Sequence, residues 1–423
     1  MPPTVDGKSG DFGLFMAGQV STTFGSALTA VVLPVIAVEK FMADEWQIGL
    51  LHASSAVPMV LLGFLVGVWS DRRERKRWWL IAADIVSMVA IGGLCLGIVF
   101  DVAGFYWILP VTFLFGILTL VAEALYFSHL QTVIGNRTIL QARSRLIAGE
   151  RLGSSAGRGL SGALIWVGGY VFPLVIDVLT FAVNAVCLTL IKSPDGAREQ
   201  RRESTIREDI AAGFRLLVRI PLLKAFSTFG LLISVAEAMV MAMLPILLLR
   251  RLGLPEFYYG LVFIASSGTA IAGAWISPRL GDRWGIRTVN RFGLAGIALS
   301  TMCIAVGATL GSVPGLIWAV AGLAVLGFFG SVWNVGLTTL VTASADSAVL
   351  GRVSMNIRTL TALAGIVGAV SAGVLSTAWG IVNQLWIAVV VVAVGVILMA
   401  LSMSKPEQAA PHAVERRVNA DID

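Results

Sequence analysis

The chain is 423 residues long, 57% of them hydrophobic and only 13% charged, with a mean hydropathy of +0.85. A soluble chain of this length carries about a quarter of its residues as charges to cover its domains, so this composition excludes an ordinary soluble protein. The formal net charge is +6, but the basic residues are scattered over many short polar segments, so nucleic acid is not an expected partner.

Apolar runs of bilayer-spanning length, roughly 20 residues each, recur from end to end. The first, 12–37, is longer than the apolar core of a secretory signal and ends without a small-residue cleavage site. It reads as a retained transmembrane helix. Further helices are expected at 47–69, 78–100, 104–127, 146–168 and 171–191. After a polar stretch they resume at 221–249, 258–280, 288–310, 313–341, 353–378 and 381–403. The expectation is an all-α membrane protein with twelve transmembrane helices.

Lys and Arg orient it. Of the 31 basic residues, 27 fall on one side, in the alternate loops, the central stretch and the two tails. Only Lys40, Arg250 and Arg251 fall on the other, and Arg158 lies inside the fifth helix. Arg352 and Arg358 are counted with the loop before the eleventh helix. The positive-inside rule then places both termini in the cytoplasm of a bacterial inner membrane.

The polar stretch 193–220 opens on a helix-breaking Ser193-Pro194-Asp195-Gly196. Ser204 or Thr205 can cap a short helix with Ile206, Ile210, Phe214 and Leu217 on one face. The segment is too short for a core of its own and reads as an amphipathic linker. On either side of it the chain repeats itself. At an offset of 211, Pro34 meets Pro245, Gly49 meets Gly260, Asp71 meets Asp282 and Arg72 meets Arg283. The expected domains are a six-helix bundle over 1–192, the linker 193–220, a second six-helix bundle over 221–403 and a cytoplasmic tail 404–423. Such pseudo-symmetric repeats place a substrate site near the midplane between them.

The loop after the second helix runs from Gly67 through Asp71, Arg72, Arg75 and Lys76, and that after the eighth has Gly281-Asp282-Arg283 followed by Arg287. An acidic side chain at a helix end can cap the positive end of a neighbouring helix, and flanking arginines can pair across the face. This is a candidate gating loop: Gly67, Asp71, Arg72, Arg75, Lys76, Asp282, Arg283 and Arg287. The pattern resembles the signature loop of the major facilitator superfamily, G-x3-D-R-x2-[RK]-[RK], with Pro278 standing in the second copy where the first glycine belongs. Leu140-Gln141-Ala142-Arg143-Ser144-Arg145-Leu146, Asp177-Val178-Leu179-Thr180-Phe181, the 206–214 segment leading to Pro221-Leu222-Leu223, and Leu350-Gly351-Arg352-Val353 are similar to the drug:proton antiporter branch. That branch includes macrolide-efflux and enterobactin-export proteins. The resemblance implies the major facilitator fold and export driven by proton antiport. One departure stands out: Gly157-Arg158-Gly159 places Arg158 where antiporters of this kind carry a proline.

Charges inside membrane helices are costly and serve as functional candidates. Glu237, Asp177 and Glu123 are the candidate proton-coupling groups. Ion pairs of Arg158 with Asp177 or Glu237, and of Arg151 with Glu123, are expected from their depths. Arg158, Gln19, Thr23, Ser26, Met241, Trp333 and Asn334 are the candidate substrate-cavity residues, a mix of polar groups with Met and aromatic surface that suits a partly apolar ligand. Cys95, Cys187 and Cys303 lie inside apolar runs without metal spacing, and His52, His129 and His412 are scattered, so no metal site is expected. There is no nucleophile–base constellation and no phosphate-binding loop, so neither enzymatic activity, nor a cofactor, nor direct ATP drive is expected. The reading is a secondary active transporter, working as a monomer in the lipid bilayer. It would export a small organic molecule, such as an antibiotic or siderophore, against protons by rocker-switch alternating access. A metabolite importer on the same fold, or a non-transporting sensor or assembly factor, are the alternatives.

Overall fold

The computed structural model describes residues 5–71, 73, 75–134, 139–192, 214–215, 221–344 and 347–402. Most of the expected linker helix and the whole tail after 402 lie outside the described residues. Twelve long helices account for nearly everything else. They are α1 (Val5–Val35), α2 (Glu45–Asp71), α3 (Lys76–Val99), α4 (Phe105–Ile134), α5 (Ile139–Gly168) and α6 (Val171–Leu190). The second set is α7 (Pro221–Pro245), α8 (Glu256–Trp284), α9 (Ile286–Leu310), α10 (Ser312–Ser344), α11 (Ser347–Trp379) and α12 (Ile381–Ser402). Among the described residues eleven of these are long and apolar enough to cross a membrane. The exception is α5, which has the length but carries Arg143, Arg145, Glu150, Arg151 and Arg158. It can afford them because it packs between α1 and α8.

The two sets pack alike. In the first, α1 lies against α5 and α6, α2 against α4, and α3 against α4 and α6. In the second, α7 lies against α11 and α12, α8 against α10, and α9 against α10 and α12. Two seams join the sets: α2 with α11, and α5 with α8. An even number of crossings brings both chain ends to one face, here the terminal face; the other is the distal face.

The duplication is recorded in the backbone. Pro34 and Pro245 each remove one backbone N–H near a helix end, and the helix widens into a π turn just after, over Ile36–Lys40 and Ile246–Arg251. The bonds that close those turns, Phe41 N to Ile36 O and Ala43 N to Ala37 O, recur as Leu252 N to Leu247 O and Leu254 N to Leu248 O. The distal turns carry positive φ at Met42, Asp101 and Gly169, and again at Gly253, Ser312 and Gly380. Lys40 Nζ donates to Ile98 O, and Arg251 Nε donates to Ala308 O, each tying its own π turn to the end of the third helix of its set.

The seams close most tightly toward the distal face. A Cβ on Gly162 would collide with the carbonyls of Glu256 and Phe257, and one on Gly260 with those of Arg158 and Gly159. Gly49 abuts Ala369 and Gly373 in the same way on the other seam. Polar contacts reinforce this closure. The Arg250 guanidinium crosses from the second set to donate to Ala43 O at 2.7 Å and to Val38 O. The Tyr170 hydroxyl donates to Glu256 Oε1 at 2.6 Å.

On the terminal face, Arg73 stacks over Trp69 and Trp79, with 5.1 and 4.9 Å to the ring centroids, and Arg77 donates to Ile191 O. Lys76 is buried there, Gly67 faces open space, and Asp282 and Arg283 are exposed. Arg72 and the side chains of Asp71 and Arg287 lie outside the described residues.

If backbone approach at Gly162 is what closes the distal face, Gly162→Leu forces the seam apart. A cysteine introduced by Ser161→Cys in a cysteine-free background, where the native side chain is fully buried, is then labelled faster by a membrane-impermeant maleimide added from the distal side. Unchanged labelling assigns closure to the polar contacts instead.

Candidate functional site

A pocket of about 400 Å³ lies where the first set meets α11. That is within the range of drug-sized ligand sites. Its walls come from α1 (Thr29, Ala30, Leu33, Pro34), α2 (Leu51, His52, Ser55, Met59) and α4 (Thr112 to Glu123), and one side chain, Arg358, reaches in from α11. The α1 wall follows from how that helix is packed. Gly18 and Gly25 press against α6, and Val20, Phe24 and Ala27 press against glycines of α5. The stripe left over, half-buried at Thr23 and Ser26 and exposed at Ala30, faces neither helix.

The pocket holds one ion pair, and it joins the two sets. Arg358 Nη2 lies 2.5 Å from Glu123 Oε2, with the two side chains 58% and 50% exposed. A solvated pair of this kind is worth roughly 0–1 kcal/mol, so little is lost when it opens. The expected partner of Glu123 was Arg151. Arg151 instead lies with Glu150, which is within electrostatic reach of both Glu123 and Arg151.

Asp177 is fully buried. It accepts hydrogen bonds from the Thr29 hydroxyl and, at 3.2 Å, from Thr180. Its partners are hydroxyls, not Arg158, which is exposed on α5. Seven residues further along α6, Asn184 donates to Asp84 Oδ2 at 2.8 Å and to the Tyr126 hydroxyl at 2.9 Å. Gly18 and Gly25 make room for these groups: a Cβ on Gly18 would strike Asn184, and one on Gly25 would strike Asp177 and Thr180. Asp177 thus ties α6 to α1, and two turns along Asn184 ties it to Asp84 of α3 and Tyr126 of α4.

The other candidates are dispersed. Gln19 is buried with its Nε2 lacking a hydrogen-bond partner among the described residues. Trp333 is buried against Gly293 at the α9–α10 contact, whereas Asn334, next to it, is exposed. Glu237 is exposed and Met241 half-buried on the same side of α7. The opposite side of α7 meets α11 through Val235 and Ala238 and α12 through Gln384, which donates to Met239 O. Of the sequence-derived candidates, only Glu123 lines the pocket. Its partner Arg358 was counted with the preceding loop although it falls inside the expected 353–378 helix; α11 begins earlier still, at Ser347, which sets Arg358 three turns into it. Asp84 carried a readable signal, a lone acid within an apolar run.

Two matched sets of six helices, meeting along two seams with a mixed polar and apolar pocket between them, define a polytopic membrane transporter. The profile described as Major Facilitator Superfamily matches residues 15–369, and the chain belongs to that family. Among curated relatives it is 25% identical over 342 residues to the enterobactin exporter EntS of Citrobacter koseri, covering 81% of this chain and 79% of that one. It is 26% identical over 344 residues to the Escherichia coli protein of the same name, with the same coverage. Among solved structures, the nucleoside transporter NupG superposes with a TM-score of 0.76 over 93% of this chain and 98% of that one, at 14% identity. A bacterial homologue of the iron transporter ferroportin, in an inward-facing state, gives 0.75 over 93% and 99%, also at 14%. At that identity the likeness shows the fold alone.

Breaking the Thr29–Asp177 contact strands a buried polar group, at a cost of about 1–3 kcal/mol. Thr29→Val and Asp177→Asn should each lower the thermal unfolding midpoint of the purified protein, and the double variant should lose less than the sum. Additive losses place the two groups in separate interactions.

Proposed function

We propose that this transporter exports a small organic molecule in exchange for protons, by rocking its two bundles about the pocket. The observation that carries the reading is the Glu123–Arg358 pair: one weak, exposed ion pair joins the bundles inside the pocket, whereas rigid backbone contact joins them at the distal face. A joint of that kind holds at one end and parts at the other. The bundles are 1–192 and 221–403, with 193–220 joining them and 404–423 as a tail. With Arg358 set aside in the pocket, the sequence still assigns 26 of 31 basic residues to the terminal side, so that face is cytoplasmic in a bacterial inner membrane, and the distal closure is periplasmic. The loops holding Asp71 and Asp282 then latch the cytoplasmic face in the alternate state.

Glu237 and Glu123 are the carboxylates suited to carry protons. Glu237 sits about 16 residues, roughly 24 Å, into α7. It is exposed and has no ion-pair partner among the described residues, so it can change charge without breaking a bridge. Asp177, sealed behind Thr29 and Thr180, suits helix packing instead. Export is favoured by the relatives named as exporters, and a single chain supplies both bundles, so a monomer suffices.

Everted membrane vesicles with an acidic interior test this. A panel of antibiotics and iron chelators is offered with and without the gradient. Gradient-dependent uptake of at least one compound is expected, and Glu237→Gln should abolish it while leaving gradient-free counterflow intact. Uptake only into right-side-out vesicles identifies an importer, and wild-type gradient-driven flux in Glu237→Gln removes that residue from coupling.

A further inference from the structure

The pocket's chemistry narrows the ligand, given that the pocket is the substrate site of the transporter proposed above. Three of its four hydroxyls, those of Thr29, Ser55 and Thr112, have spent their protons. Ser55 donates to His52 O at 2.8 Å, Thr112 reaches Leu109 O at 2.9 Å and Ser54 at 2.7 Å, and Thr29 donates to Asp177. A hydroxyl has a single proton, so these groups turn lone pairs, not donors, to a guest. The donors left are Arg358, the exposed His52 and the exposed Thr119, and of these Arg358 alone is permanently charged. Glu123 engages Arg358 through one nitrogen, leaving most of a five-donor fork open to the pocket.

The two partners of the ion pair differ in what each can do when displaced. An arginine keeps its charge under all conditions in a protein. A cationic guest on Glu123 would therefore strand Arg358, whose one carboxylate partner among the described residues is Glu123. An anionic guest compensates Arg358 itself. Glu123, once released, is half exposed and can be taken up by water. Beyond the charged end the walls are apolar, at Leu33, Pro34, Met59 and Phe115. The Phe115 ring is held edge-on by Phe181, with 5.9 Å between centroids.

We propose that the pocket takes an amphipathic organic anion, whose acidic head replaces Glu123 on Arg358 while its apolar body lies between α1, α2 and α4.

Three probes with one body test this: 4-biphenylcarboxylate, its neutral amide, and 4-biphenylmethylammonium. Each is titrated against the full-length purified protein while thermal unfolding is followed by tryptophan fluorescence. The carboxylate should stabilise the protein at about one-tenth of the concentration the amide requires, as expected for a charge-assisted hydrogen bond, and the ammonium should be weakest. Arg358→Gln should erase the carboxylate's advantage, Arg358→Lys, which keeps the charge, should retain part of it, and Glu123→Gln should tighten carboxylate binding by removing its competitor. Equal effects of carboxylate and amide, preference for the ammonium lost in Glu123→Gln, or no stabilisation by the carboxylate each overturns the proposal. Binding here needs no gradient and no direction. Carboxylate selectivity without vesicle flux therefore leaves this inference standing and removes the exporter, and flux without selectivity does the reverse.

Discussion

Helices in a bilayer gain nothing from hiding apolar surface from one another, because lipid is as apolar as they are. What holds this protein together is close backbone approach at small residues, and the rest of the architecture follows from where those residues lie. Along α5, Gly149, Gly153 and Gly157 face α1, whereas Gly159 and Gly162 face α8. A single helix therefore serves as internal strut and as seam. α11 has the same double duty, with Gly368 on α7 and Gly373 on α2. The distal closure is made of these contacts, so it is stiff, and a bond through Arg250 or Tyr170 only adds to it.

Charge is used in three ways, and burial separates them. Asp177 and Asp84 are buried and hydrogen-bonded across helices, Asp177 lodged opposite Gly25, and so act as pegs between helices. Glu123 and Arg358 are half exposed and span the two bundles, which makes a bond easily broken and remade. Glu237 and Arg158 are exposed on helices that form the body of each bundle. Had Asp177 paired with Arg158, a buried salt bridge would have locked α5 to α6. The hydroxyls of Thr29 and Thr180 instead satisfy the acid locally and leave Arg158 outside the core.

Much of this was legible in the chain. Bilayer-length apolar runs gave twelve helices within a few residues, since length and hydropathy are properties of single segments. The expected start of α11 at 353 missed its first turn and a half. Polar first turns read as loop, and Arg358, one turn inside the expected span, was grouped with that loop as a basic topology signal. The duplication was visible in pairs such as Pro34 and Pro245, and the structure extends it to positions where the residues disagree: Met42 and Gly253 share a positive φ, as do Asp101 and Ser312. No residue-by-residue comparison finds such pairs, because the turn geometry is kept while the side chain is not.

The sequence by itself determined how many helices cross the membrane, that six of them repeat, and which charges lie inside spans, because each is a local or periodic property. It could not determine which charges meet. Partners such as Glu123 and Arg358 are 235 positions apart, and their encounter depends on the rotation of two helices belonging to different bundles. That rotation is set by which glycines face which neighbour, and only the packed structure decides it.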